Sequence, residues 1–167
     1  MTRQRRFLLF ALGLMLIASS VPAETVLVAV YQSGTGELKD QSRFFLSAVE
    51  DGVMDVMFDE GHIVFNLGSF SVVGPSAVQA RYDIRETARD GGAAYAVEVT
   101  MDVNELEDGT IEPVSLDYRF VNVDTDRILD QGRIEELTRD VDGRTRSWGD
   151  VCFLTGQEIA RSALSSW

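Results

Sequence analysis

The alternation of apolar and polar positions in the first half of the chain predicts two strands and two helices. Residues 25–31 (TVLVAVY) form a β-branched apolar run that is too short for a helix, and it is apolar on both faces. Such a run predicts an interior strand covered by helices. Over 40–58 the apolar residues recur at spacings of one, three and four, which predicts an amphipathic helix. Residues 62–66 (HIVFN) predict a short strand, and 75–89 predict a second helix that begins at Pro75.

The second half of the chain changes from a helical period to a period of two. Apolar and polar residues alternate over 95–103, which predicts a strand with one buried and one wet face. Asp108-Gly109 favours a hairpin turn. Residues 114–123 are then the returning strand, and the more polar segment 128–137 is a third strand at or near an edge.

A last helix is predicted after Ser147, because Ser147 and Asp150 have the spacing of a capping box. The order of elements is therefore β-α-β-α-β-β-β-α. This order predicts the α/β (α+β) class: a single-domain sandwich over 24–167, with a mixed sheet that carries a three-strand antiparallel meander and helices on one face.

The N-terminal segment 1–23 has the layout of a secretory signal peptide. Three arginines precede an apolar run over 7–18, and small or β-branched residues precede the expected cleavage between Ala23 and Glu24. An uncleaved anchor is the alternative, but a spanning helix needs about 20 apolar residues. No cysteine lies near the cleavage point for a lipid anchor. We expect export to the periplasm, with no stable membrane anchor after cleavage.

The chain is strongly acidic. Its formal net charge is -12, and 1–23 carry three arginines and no acid, so the other 144 residues carry -15. This charge repels phosphate backbones, so nucleic acid is not an expected partner. It favours basic partners or divalent cations, although acidity that only keeps an exported protein soluble is the simpler interpretation.

No catalytic, cofactor or metal residues can be assigned from motifs. His62 is the only histidine, which excludes multi-histidine metal sites, and a position at the surface or rim of the fold is expected for it. Cys152 is the only cysteine and lies in an apolar run, which favours a buried, inert thiol.

Two acidic turns fall short of a calcium loop. With Gly143 at position 6, Thr138 and Gly149 would occupy positions 1 and 12, and neither fits. In 104–109 an apolar Leu106 would occupy a ligand position. Weak cation binding by these turns stays an alternative.

The connection 67–73 is the predicted partner-binding segment. Phe70, Val72 and Val73 are apolar in a place where solvation would favour polar residues, so we expect them to dock on a partner or line a cleft. The alternative is that the segment folds back and buries them, or forms a short extra strand. Trp167 is similarly open between packing and contact.

Two segments carry a resemblance to a group of bacterial envelope proteins. They are 92–97 (GAAYAV), which opens the meander, and 123–129 (VDTDRIL), which turns into its last strand. The pattern resembles the penicillin-binding-protein activator lipoprotein, the curli-secretion lipoprotein and the N-terminal domain of the Tol system's propeller protein. The resemblance implies a non-enzymatic binding or assembly module. The chain lacks the lipid-bearing cysteine, a propeller and a membrane-spanning hairpin, and no functional residue carries over.

Three functions therefore compete. The first is an exported, non-enzymatic module that binds another envelope component, expected to be a protein, through an apolar patch near Phe70 or an unpaired strand edge. The second is a small exported enzyme or small-molecule binder with an unrecognised site. The third is a surface protein that depends on divalent cations.

Overall fold

A computed structural model describes residues 23–33, 38–68, 70–72, 76–141 and 144–167. The helices in this part of the chain are α1 (Asp40–Asp59), α2 (Ser76–Asp90) and α3 (Trp148–Ser165). The strands are β1 (Thr25–Ser33), β2 (Ile63–Asn66), β3 (Phe70–Val72), β4 (Tyr95–Glu105), β5 (Ile111–Asn122), β6 (Ile128–Ile134), β7 (Asp140–Val141) and β8 (Arg144–Thr145). None of these helices is long and apolar enough to cross a membrane.

The main sheet is mixed and runs in the order β2-β1-β4-β5-β6. β1 is parallel to β2 and β4, and β4, β5 and β6 form the antiparallel meander. The predicted class, the mixed sheet and the order of the main elements are confirmed. β3 is an additional strand, parallel to the end of β1 and on the same side of it as β2. β7 and β8 form a separate two-stranded hairpin.

The two faces of the sheet carry separate cores. The even-numbered residues of β1, such as Val28, pack with α1 and α3, for example with Leu46 and Ile159. The odd-numbered residues, such as Leu27, pack with Ile84 of α2 on the opposite face. The expectation that all helices lie on one face is therefore corrected, because α2 lies alone on the other. β1 is apolar on both faces because both faces are covered.

The helices α1 and α3 cross at two glycines. A Cβ atom added to Gly52 would overlap the carbonyl oxygen of Phe153, and one added to Gly156 would overlap that of Val49. The two backbones are therefore in contact at the crossing, which only residues without a side chain permit.

Side-chain hydrogen bonds hold α3 both at its start and near its C-terminal end. Ser147 caps the helix by accepting a hydrogen bond of 3.1 Å from the backbone N–H of Asp150, as predicted. The hydroxyl of Ser162 lies 3.0 Å from that of Tyr118 and donates a 2.8 Å hydrogen bond to Asp130. These contacts attach α3 to β5 and β6.

Candidate functional site

The strands β2 and β3 together form one edge of the main sheet, which we call the β2–β3 edge. The backbone N–H of Ile63 bonds to the carbonyl of Glu24, and that of Leu67 lies 3.4 Å from the carbonyl of Val28. In a parallel ladder, alternate residues bond to the same neighbour, so the N–H and C=O groups of Val64 and Asn66 point outward. In the described residues no further strand pairs with this edge.

Two apolar side chains at this edge, Ile63 and Leu67, are open to solvent. Ile63 is 58% exposed and Leu67 is 36% exposed, while Phe65 between them is half-buried. An edge that offers free backbone groups beside exposed apolar side chains is a template for pairing with another extended chain.

The structure places the predicted binding segment at this same edge. Phe70 lies in β3, where it is half-buried and its ring stacks on that of Tyr31 with centroids 5.2 Å apart. Val72 pairs in register with Ser33, and Val73 lies outside the described residues. The short extra strand, one of the alternatives left open by the sequence, has therefore formed, and partner contact at Phe70 stays a prediction.

Ile63 was missed by sequence reasoning, and Leu67 was included only as the first residue of the predicted segment 67–73. Their apolar character was visible, but a short apolar strand is ordinarily buried. Only the strand order, which leaves β2 at the edge, exposes them. The sequence of β2 alone does not predict this strand order.

A carboxylate is buried behind this edge. Glu50 of α1 is buried, and its Oε1 has no hydrogen-bond partner in the described part of the chain. Burial raises the pKa of Glu50; a side-chain hydrogen bond with Asn66 opposes this rise, and the charge of Asp51 adds to it. The raised pKa means that folding shifts this carboxyl group towards its neutral form relative to the unfolded chain.

We expect Glu50→Gln to stabilise the protein at pH 7, by about 1 kcal/mol, because it removes a poorly compensated buried charge. The folded-state pKa is raised, so this gain is complete above that pKa. It disappears as the pH falls below the ordinary value of 4.5. Urea unfolding at pH 7 measures the full gain, and urea unfolding at pH 4 tests whether the gain has disappeared. Glu86→Gln, the same change at an exposed position on α2, is the control and should change stability little. Equal gains at the two pH values would contradict the prediction.

A second buried carboxylate lies between arginines on the α2 face of the sheet. Glu98 of β4 is 1% exposed, with Oε1 at 3.4 Å from Nε of Arg85 and Oε2 at 3.5 Å from Nη1 of Arg119. Asp126, which follows β5, accepts hydrogen bonds of 3.2 Å from Arg85 and 3.0 Å from Arg89. The network attaches α2 to the meander.

An aromatic cluster closes the end of the sheet near the start of β1. The rings of His62 and Trp167 are stacked with centroids 4.3 Å apart, and Trp167 also meets Tyr95 at 4.5 Å and Phe120 at 5.3 Å. Trp167 therefore packs on this cluster while it is 40% exposed, and its contact with a partner stays a prediction. His62 is half-buried at the rim, as expected for a residue without a motif.

The remaining candidate groups, the thiol of Cys152 and the acidic turns, form no recognisable reactive or metal-binding site in the described residues. Cys152 is buried, as expected, and burial raises its pKa to about 12, so the thiol is not a nucleophile at neutral pH. Asp108 accepts a hydrogen bond from the Thr110 backbone, which holds the pKa of Asp108 below its usual value. Within the described residues no three potential metal ligands come together. Residues 142–143 of the acidic turn around Gly143 lie outside the described part of the chain.

Comparison with known proteins gives matches only among solved structures. No family model and no curated protein matches the chain. PelC from Paraburkholderia phytofirmans, solved as a dodecamer, is 17% identical with a TM-score of 0.42, over 89% of this chain and 92% of PelC. Lipoprotein GNA1162 from Neisseria meningitidis is 16% identical with a TM-score of 0.42, over 84% of this chain and 99% of that one.

The C-terminal domain of LpoB from Salmonella enterica is 19% identical with a TM-score of 0.31, over 74% of this chain and 92% of the domain. These neighbours match the weak, topology-level resemblance to envelope proteins that the meander segments carry. At these values the likeness is one of chain topology.

Proposed function

We propose that this protein is an exported, non-enzymatic module that binds another protein of the cell envelope by accepting one of its segments as an added strand at the β2–β3 edge. One observation carries the proposal. The outward backbone groups of Val64 and Asn66 lie beside the exposed side chains of Ile63 and Leu67. Backbone groups supply affinity in strand addition, and alternate side chains supply specificity.

The chemistry of the edge defines the partner segment. An extended segment with apolar residues at alternate positions would cover Ile63 and Leu67. The exposed acids Asp59 and Glu60 lie just before β2. A basic flank on the partner would complement these two acids and also the net charge of -12 of the whole chain.

The location of the protein is a separate part of the proposal. Residues 1–22 lie outside the described part of the chain, so export rests on the signal-peptide pattern of 1–23. We propose that the protein acts in the periplasm.

A charge placed on the β2–β3 edge should abolish partner binding. We expect Leu67→Lys to lower the yield of partner that co-purifies after crosslinking of intact cells by about tenfold or more, because the lysine opposes both apolar contact and a basic partner. Leu154→Lys is a matched control, since Leu154 is 39% exposed on α3 and Leu67 is 36% exposed.

Equal yields from the two variants would contradict strand addition at this edge. If the captured species is a second copy of the chain, the edge serves self-association instead. Circular dichroism of both variants checks that they are folded.

A further inference from the structure

The buried carboxylate of Glu50 contacts the β2–β3 edge from the side of α1. Asn66 of β2 pairs in register with Val28 of β1, and Val28 packs in the core that β1 forms with α1. Side chains in register share a face of the sheet, so the side chain of Asn66 also lies on the α1 face. This side chain is exposed, and it forms a hydrogen bond with that of Glu50. Glu50 and Asn66 therefore form a polar pair at the edge where a strand can be added.

This polar pair has an acceptor without a donor. Glu50 is only 4% exposed, and its Oε1 has no hydrogen-bond partner in the described part of the chain. The charged neighbour that acts on Glu50 is Asp51, which is also negative. A buried acceptor without a donor raises the free energy of the folded protein, and an added donor would remove that cost.

A strand added at the β2–β3 edge would bring side chains to this polar pair. Adjacent strands lie about 4.8 Å apart, and their side chains in register point to the same face. The residue of the added strand opposite Asn66 would therefore lie on the α1 face, next to the hydrogen bond between Asn66 and Glu50. Its two neighbours along the strand would point to the α2 face, where Phe65 packs. One position of the added strand is thus set apart from the apolar positions beside it.

We infer that the partner segment carries a basic side chain, lysine or arginine, opposite Asn66, and that this side chain pairs with Glu50. The inference rests on the proposed strand addition, and it identifies a contact that fixes the register of the added strand. Glu50 is already desolvated in the free protein, so pairing adds only the desolvation of the incoming cation. A neutral donor would bond to Oε1 but would leave the buried negative charge uncompensated. A basic residue also complements the net charge of -12.

Two synthetic peptides of equal composition and equal charge test this pairing. Each peptide has a strand that alternates valine with serine, followed by a Gly-Gly tail. In the first peptide lysine replaces the central serine and glutamine ends the tail, and in the second these two residues are exchanged. Calorimetric titration of the full mature chain measures both affinities. We expect the first peptide to bind about tenfold more tightly or better, because only its lysine lies opposite Asn66.

Glu50→Gln should abolish this preference by weakening the first peptide about tenfold, although we expect the same variant to be more stable than the wild type. A role of Glu50 in the structure alone would instead change the binding of both peptides equally. Glu86→Gln, at an exposed position on α2, is the matched control and should keep the preference.

The outcomes separate this pairing from strand addition itself. Equal affinities of the two peptides for the wild type, or a preference that persists in Glu50→Gln, would overturn the pairing and leave strand addition intact. If neither peptide binds saturably, or if Leu67→Lys binds both as the wild type does, strand addition at this edge is wrong and the pairing is wrong with it.

Discussion

Gly156→Ala should lower the free energy of unfolding by about 2–3 kcal/mol, although alanine is the better helix former. The added methyl group would overlap the carbonyl oxygen of Val49 on α1. That oxygen belongs to a helical backbone and cannot turn away as a side chain can. Relief therefore requires α1 and α3 to separate, which would loosen the core that both helices form with β1.

Gly149→Ala in the same helix is the matched control. Its added methyl group would come close to the ring of Phe44, an exposed side chain that can rotate away, and would otherwise make only an ordinary contact with the hydroxyl of Ser147. We expect this variant to be neutral or stabilised by up to about 1 kcal/mol through helix propensity. Urea unfolding followed by circular dichroism compares the two variants. Stabilisation by Gly156→Ala would contradict the close crossing of α1 and α3.

Phe120→Ala should be at least as damaging, with a loss of about 3–5 kcal/mol. Phe120 is fully buried on β5, and its ring contacts those of Tyr95, at 5.4 Å, and Trp167, at 5.3 Å. Its removal leaves a cavity next to Trp167, so the tryptophan emission should also shift as that ring gains solvent.

Phe58→Ala is the control for Phe120→Ala, because Phe58 lies exposed at the end of α1. It removes the same atoms with an expected cost below about 1 kcal/mol, since little area returns to water. Similar losses in the two variants, measured by urea unfolding, would contradict the placement of Phe120 in the core.

The local elements could be predicted because periodicity is a local property. The apolar run of β1, the stripe of α1 and the alternation in β4 each identified their element within a few residues. Boundaries were less accurate: β5 begins at 111 where a strand from 114 was expected, and β6 ends at 134 where 137 was expected. Both limits depend on where a neighbouring strand stops pairing.

The arrangement of the elements in space was harder to predict. The apolar stripe of α2 is weak, and the side that faces the meander carries arginines, so its position on the opposite face of the sheet depends on contacts with distant residues such as Glu98. β3 similarly forms only because the end of β1 offers a free edge.

The candidate site was predicted only in part. The apolar character of Phe70 predicted a binding segment, and the structure places part of that segment in β3; partner binding there stays a prediction. The exposure of Ile63 and Leu67 follows from a strand order that no segment encodes alone.

Site-specific photocrosslinking in intact cells tests the central claim, docking of an envelope protein at the β2–β3 edge, most directly. A benzoylphenylalanine residue at position 67 should give a light-dependent adduct with one envelope protein, and the same probe at position 154 should not. Mass spectrometry of the adduct should find this chain beginning at Glu24. Equal adducts from both positions, an adduct with a cytosolic protein, or a chain that still begins at Met1 would contradict the account.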